Sequence, residues 1–146
     1  MNADLWWKFL PASLALAAVA APLLGGHPLA AWTIREFFSR VCHQEAERSF
    51  WLWGAPVAVC ARCLGIYLGA AVGGWLRWQR RAAVRFLTVA AAVNGLDVVT
   101  EMAGLHGNWM DARFMFGLAL GIGMAAVVAA GSLGSPSLAL RASSGD

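Results

Sequence analysis

Four stretches of about 20 apolar residues constrain this chain before any motif does, because a helix needs roughly that length to cross the hydrocarbon core of a bilayer. The windows run from Phe9 to Trp32, from Pro56 to Leu76, from Ala82 to Leu105 and from Phe114 to Leu133. Of the 146 residues, 60% are hydrophobic and only 13% charged, too apolar a balance for a water-soluble domain. The sequence therefore predicts an all-α integral membrane protein with four transmembrane helices, forming a single domain over residues 1–133. The remaining residues, 134–146, are small, polar and turn-rich and read as a disordered tail.

The tryptophans fit these boundaries. Trp6, Trp7, Trp32, Trp51, Trp53, Trp75, Trp78 and Trp109 all fall at or just outside an expected helix end, where an indole ring is shielded while its N–H stays hydrated. The first window reads as a span rather than a cleaved signal peptide, since Lys8 is offset by Asp4 and the apolar run is long for a signal. For orientation, the connection between the second and third windows holds Arg77, Arg80, Arg81 and Arg85 with no acid. That loop is the hardest to translocate, so both termini are expected on the cytoplasmic side, although Lys and Arg divide six to five between the two faces. The net charge of +3 comes from these membrane-flanking residues, and there is no phosphate loop, repeat or long basic patch; nucleic acid is not an expected partner.

The loop after the first window has its own pattern. Thr33 and Glu36 have the spacing of a capping box, with Ile34, Phe37, Phe38 and Val41 following at helical intervals, so a short amphipathic helix is expected on the membrane surface. It would end at Cys42 and His43. Pro56 suits the first turn of the second span, which would put Cys60 and Cys63 about one turn deep and on one face.

All three cysteines of the protein thus sit near one histidine. Cys42, His43, Cys60 and Cys63 offer three thiolates and an imidazole, a donor set that suits tetrahedral zinc, with iron as the other candidate. Adjacent Cys42 and His43 would need a bent backbone to hold one ion. Two other readings compete: a redox-active or structural disulfide, favoured by Cys60-x-x-Cys63 at a helix start beside Arg62, and unrelated buried thiols.

The stretch also resembles a family of bacterial and archaeal predicted membrane proteins, whose signature has the form CHQ, RSF and CxRCxGIYxG. Here it stands as Cys42-His43-Gln44, Arg48-Ser49-Phe50 and Cys60-Ala61-Arg62-Cys63-Leu64-Gly65-Ile66-Tyr67-Leu68-Gly69. The family's aspartate in the third span would correspond to Asp97, and its RxxTG to Arg113-Phe114-Met115-Phe116-Gly117, where Phe116 replaces the threonine. The resemblance implies four helices and a cysteine–histidine site, and it supplies no activity; the expected location is a prokaryotic cytoplasmic (inner) membrane.

The third window carries the remaining chemistry. Asn94, Asp97 and Glu101 form one helical stripe, and carboxylates in a membrane span are costly enough to require partners or water. At about 1.5 Å per residue Asp97 lies about 18 Å from the basic end, on the side of Cys60 and Cys63. Arg62 and Arg113 begin their spans on that side too, with His106 in the connecting loop. Asp97, Glu101, Arg113 and Arg62 are therefore either one polar catalytic site or ion pairs that hold helices together. His27, after Gly25-Gly26, reads as an interfacial turn residue, and Tyr67 serves a core as readily as a catalytic acid. Gly65, Gly69 and Gly73 mark close helix packing.

Together these features point to a zinc or iron centre over a polar pocket at one membrane interface. The rivals are a thiol–disulfide oxidoreductase coupled to quinone and a structural or assembly subunit of a membrane complex. The lipid bilayer is the expected surrounding, with a second copy or another membrane protein as a partner.

Overall fold

A computed structural model describes residues 3–105 and 107–132, and the side chains of residues 8–105 and 107–131. His106 and the tail from 134 onward, which was expected to be disordered, lie outside the described residues.

The chain begins with α1 (Ala3–Ala20), continued by a 3-10 segment, Ala21–Gly26, and then turns into α2 (Pro28–Ser39). A short 3-10 turn, Ala46–Arg48, leads to a two-stranded hairpin of β1 (Trp51–Leu52) and β2 (Ala55–Pro56). Three helices follow: α3 (Ala61–Gly73), α4 (Arg80–Met102) and α5 (Met110–Ser132). Three stretches of the described residues are long and apolar enough to cross a membrane: Lys8–Gly26, Arg80–Met102 and Met110–Gly131. Large apolar side chains such as Leu16, Val89, Leu96 and Val128 point outward along them, as lipid-facing residues do.

Two of the expected spans are corrected. The first does not reach Trp32, because His27 precedes Pro28 and takes φ −127° and ψ 77°, outside the α region that a following proline disfavours. Pro28 then starts a new helix, which places Trp32 on α2. Thr33 is consequently mid-helix: its Oγ1 donates to the carbonyl of Leu29 at 2.8 Å, so it forms no capping box with Glu36. The apolar residues of α2 also divide. Phe38 is 1% exposed against α1 and the residues before α3, whereas Phe37 is 58% exposed.

The second window yields a helix of only 13 residues, α3, too short by itself to span. Its first residues are spent otherwise. Trp53 and Gly54 adopt φ 50° and 80°, the left-handed pair of a tight hairpin turn, so Pro56 pairs with Trp51 in a strand and starts no helix. Val57, Ala58 and Val59 then pass through the interior in non-helical form. Such backbone needs partners from other elements. The Val57 N–H donates to Phe50 O at 2.9 Å, and the Ala58 N–H donates to Ala18 O of α1 at 3.0 Å.

The remaining core is a helix seam. Gly65, Gly69 and Gly73 of α3 face the backbone of α5 at Phe114, Leu118 and Ile122. Gly117 and Gly121 of α5 face α3 at Arg62, Ile66 and Ala70. A Cβ at any of these positions would collide with a facing main-chain atom. The small-residue spacing is thus a close-packing device, as expected, and α5 supplies its complement. The seam brings the first turns of α3 and α5 together, each of which carries an arginine.

Candidate metal centre

Cys42 follows the end of α2, and its N–H donates to Phe38 O at 2.9 Å, which ties it to the last helical turn. Cys60 is the N-cap residue of α3, and Cys63 lies in the first turn. Both therefore sit at the very start of the helix rather than one turn deep, because the hairpin and the buried irregular segment use up residues 51–59.

Gln44 joins the two sides. Its backbone is left-handed, with φ 54°, and its side-chain Nε2 donates to Arg35 O at 2.7 Å and to Ala58 O at 2.8 Å. One amide thus satisfies carbonyls from α2 and from the segment that leads into α3. Arg35 adds a second tie, donating through Nη2 to Pro56 O at 2.7 Å. These contacts fold the loop back so that the Sγ atoms of Cys42, Cys60 and Cys63 lie within 4.8 Å of one another. The Cys60 N–H also donates to Cys42 Sγ at 3.2 Å. With metal–sulfur bonds of about 2.3 Å, the corners of a tetrahedron lie about 3.8 Å apart, so the cluster has the scale of a thiolate site.

The Cys42 thiol has its pKa lowered to about 2, first because the Cys60 and Cys63 thiols donate hydrogen bonds to its sulfur, against the opposing effect of burial. His43 is exposed and lines the same cavity, but it is not among the side chains whose donor atoms converge.

The cavity beside the sulfurs has a volume of about 210 Å³, and its polar walls include Gln44, Glu45, Arg48, Arg62 and Arg113. Behind these arginines stand the carboxylates of α4. Arg62 is ion-paired with Asp97 and Arg113 with Glu101, while Arg48 Nη2 approaches Glu101 Oε1 at 3.1 Å. The Asp97 and Arg113 side chains are only 5% and 4% exposed. Asp97, Glu101, Arg62 and Arg113 thus belong to one layer across α3, α4 and α5, and the arginines alone of these four line the cavity.

Sequence reasoning missed two contributors. Arg48 entered only as part of the signature, although it touches both Glu101 and Glu45, the latter at 2.8 Å. Gln44 was only part of a signature. A polar amide two residues after Cys42, able to bond two backbone carbonyls, was the signal available for it.

Residues 42–127 match the family described as Predicted membrane protein (DUF2085), and this range contains the three cysteines and every residue of the ion-pair layer. The chain belongs to that family. It is similar to an uncharacterized protein of Methanocaldococcus jannaschii, 32% identical over 98 residues that cover 58% of each chain. It is also similar to an uncharacterized protein of Methanothermobacter thermautotrophicus, 33% identical over 93 residues, 60% of this chain and 84% of that one. The chain therefore spans little more than half the length of the first of these relatives. No solved structure matches it.

Proposed function

We propose that this membrane protein carries a thiolate metal centre at one membrane interface, with Cys42, Cys60 and Cys63 holding one zinc ion above the arginine-lined cavity. The observation that carries this reading is the convergence of all three cysteines within 4.8 Å. A disulfide would use two of the sulfurs and leave the third idle, whereas a metal ion uses them all. His43, on the cavity wall, is the protein's own candidate for the fourth position. Without it that position opens on the cavity, the arrangement of zinc sites that bind or transform a ligand. In this reading Asp97 and Glu101 are positioning residues, and Arg62 and Arg113 are the groups a ligand meets.

In the same reading α3 is a fourth, shortened crossing, completed by the buried segment before it and the turn after it. The bilayer is the prokaryotic cytoplasmic membrane, with both termini inside. A reporter fused after Arg81 then behaves as cytoplasmic and one inserted near Glu47 as extracytoplasmic.

The test is metal analysis of gently purified protein and its variants. The wild type should hold about one equivalent of zinc. Cys42→Ser, Cys60→Ser and Cys63→Ser should each lose most of it, and His43→Ala should lose it only if the imidazole is a ligand. Metal-free protein with two cysteines oxidised supports quinone-linked thiol–disulfide exchange instead. Metal-free, reduced protein in stable stoichiometric association with another membrane protein supports an assembly subunit.

A further inference from the structure

The cavity beside the sulfurs has walls that ask for an anion. Arg113 sits at the start of α5 with its side chain 4% exposed, and its Nε–H has no acceptor among the described residues. The buried Nε–H of Arg62 also lacks one. A buried guanidinium N–H without an acceptor is costly, and a guanidinium presents its donors in a planar fork that matches oxyanions. Arg48, with its side chain about half-exposed, is the third guanidinium on the same cavity.

The carboxylates do not fill this need. Asp97 and Glu101 grip the arginines from the α4 side, and neither lines the cavity. They fix where the guanidinium groups stand, and the Nε–H groups of Arg62 and Arg113 still lack an acceptor among the described residues. Glu45 is the one carboxylate on the wall; it is about half-exposed and engaged with Arg48 at 2.8 Å. The lining also includes Cys42, Cys60 and Cys63. Bare thiolates would repel an anion, and a divalent ion bound to them removes that repulsion.

We infer that the cavity binds an oxyanion of the phosphate class against Arg48, Arg62 and Arg113, and that it does so when the thiolate centre is loaded. The inference rests on the metal reading above. Three guanidinium groups around about 210 Å³ suit a small dianion better than a single carboxylate. The anion comes either from water, as free phosphate, or from the membrane, as a phosphate-monoester headgroup; the recognition chemistry is the same.

The experiment uses the full chain, zinc-loaded, in nanodiscs of phosphatidylcholine alone, dialysed to equilibrium against radiolabelled inorganic phosphate. Saturable uptake near one equivalent is expected. Arg48→Gln, and Arg62→Gln combined with Asp97→Asn so that no lone buried charge is left, should each weaken it about tenfold or more, with zinc content unchanged. Arg48 lies in a half-exposed loop position, so its variant tests the idea even where Arg113→Gln fails to fold. Chelation of the zinc should also weaken uptake. If nanodiscs containing phosphatidic acid suppress phosphate uptake, the headgroup is the occupant; unchanged uptake there marks the soluble anion. Zinc-loaded protein that takes up no phosphate overturns this inference alone, as does binding indifferent to both arginine variants or to chelation. Protein that holds no zinc overturns the metal reading as well.

Discussion

The α3–α5 seam and the ion-pair layer at its end are neighbours, yet they are held together by opposite means. The seam is glycine against backbone, with no side chain able to yield: Gly65, Gly69, Gly73, Gly117 and Gly121 all lack room for a Cβ. The layer is charge against charge, built from Arg62, Asp97, Arg113, Glu101 and Arg48 across α3, α4, α5 and the loop. Membrane helices gain little from burying apolar surface against each other, so close approach and polar contacts must supply the specificity. The seam fixes the distance between α3 and α5. The layer fixes what stands at the mouth once that distance is set.

The seam should be the harder of the two to alter. Gly117→Val drives a branched side chain into the main chain of α3 at Arg62, and should cost about 3 kcal/mol or more. Thermal unfolding in detergent should show a large loss together with loss of metal, since Arg62 lies between Cys60 and Cys63. A variant of wild-type stability would mean that the helices part easily, and the comparison would fail.

Asp97→Asn probes the layer. Removing one partner of a buried pair leaves an uncompensated charge, and the expected loss is about 3 kcal/mol. The second change Arg62→Gln should recover much of it, because the double variant buries no lone charge. A double variant no better than the single would show that the Arg62–Asp97 pair is not the relevant unit. Full biological function in a destabilised Asp97→Asn protein would remove Asp97 from the site.

A smaller loss should follow Gln44→Ala, about 1–2 kcal/mol, because it strands the carbonyls of Arg35 and Ala58 that one amide now satisfies. Its sharper readout is metal affinity. Gln44 donates to backbone on either side of the cysteines, so zinc should dissociate faster in this variant than in a control of equal stability loss on the lipid face. Equal rates would reduce Gln44 to a loop staple.

How much of this was readable beforehand follows the same division. The helices α4 and α5 were legible because uninterrupted apolar runs in a bilayer have few alternatives to helix, and their ends moved by only a few residues from the expected windows. The glycine spacing was legible for the same reason. The breaks were not: a hydropathy window averages over His27-Pro28, where a local steric rule outweighs composition. The hairpin and the buried 57–59 segment depend on bonds to Phe50, Ala18 and Gln44, which no local pattern reveals. For the site, residue chemistry picked out Cys42, His43, Cys60 and Cys63, and the structure brings together the three sulfurs but not the imidazole. It also puts Asp97 with Arg62 and Glu101 with Arg113. Spacing alone could not show that Arg48 would reach α4.

The central claim is that the three thiolates share one metal ion, and the most direct measurement counts thiols and metal in one sample. Native protein is treated with a thiol reagent before and after a strong chelator, while released zinc is read in parallel. The account predicts slow labelling of Cys42, Cys60 and Cys63 at first, then rapid labelling of all three with release of about one zinc per chain. Rapid labelling of one thiol, two that react only after reduction, and no zinc released would contradict it.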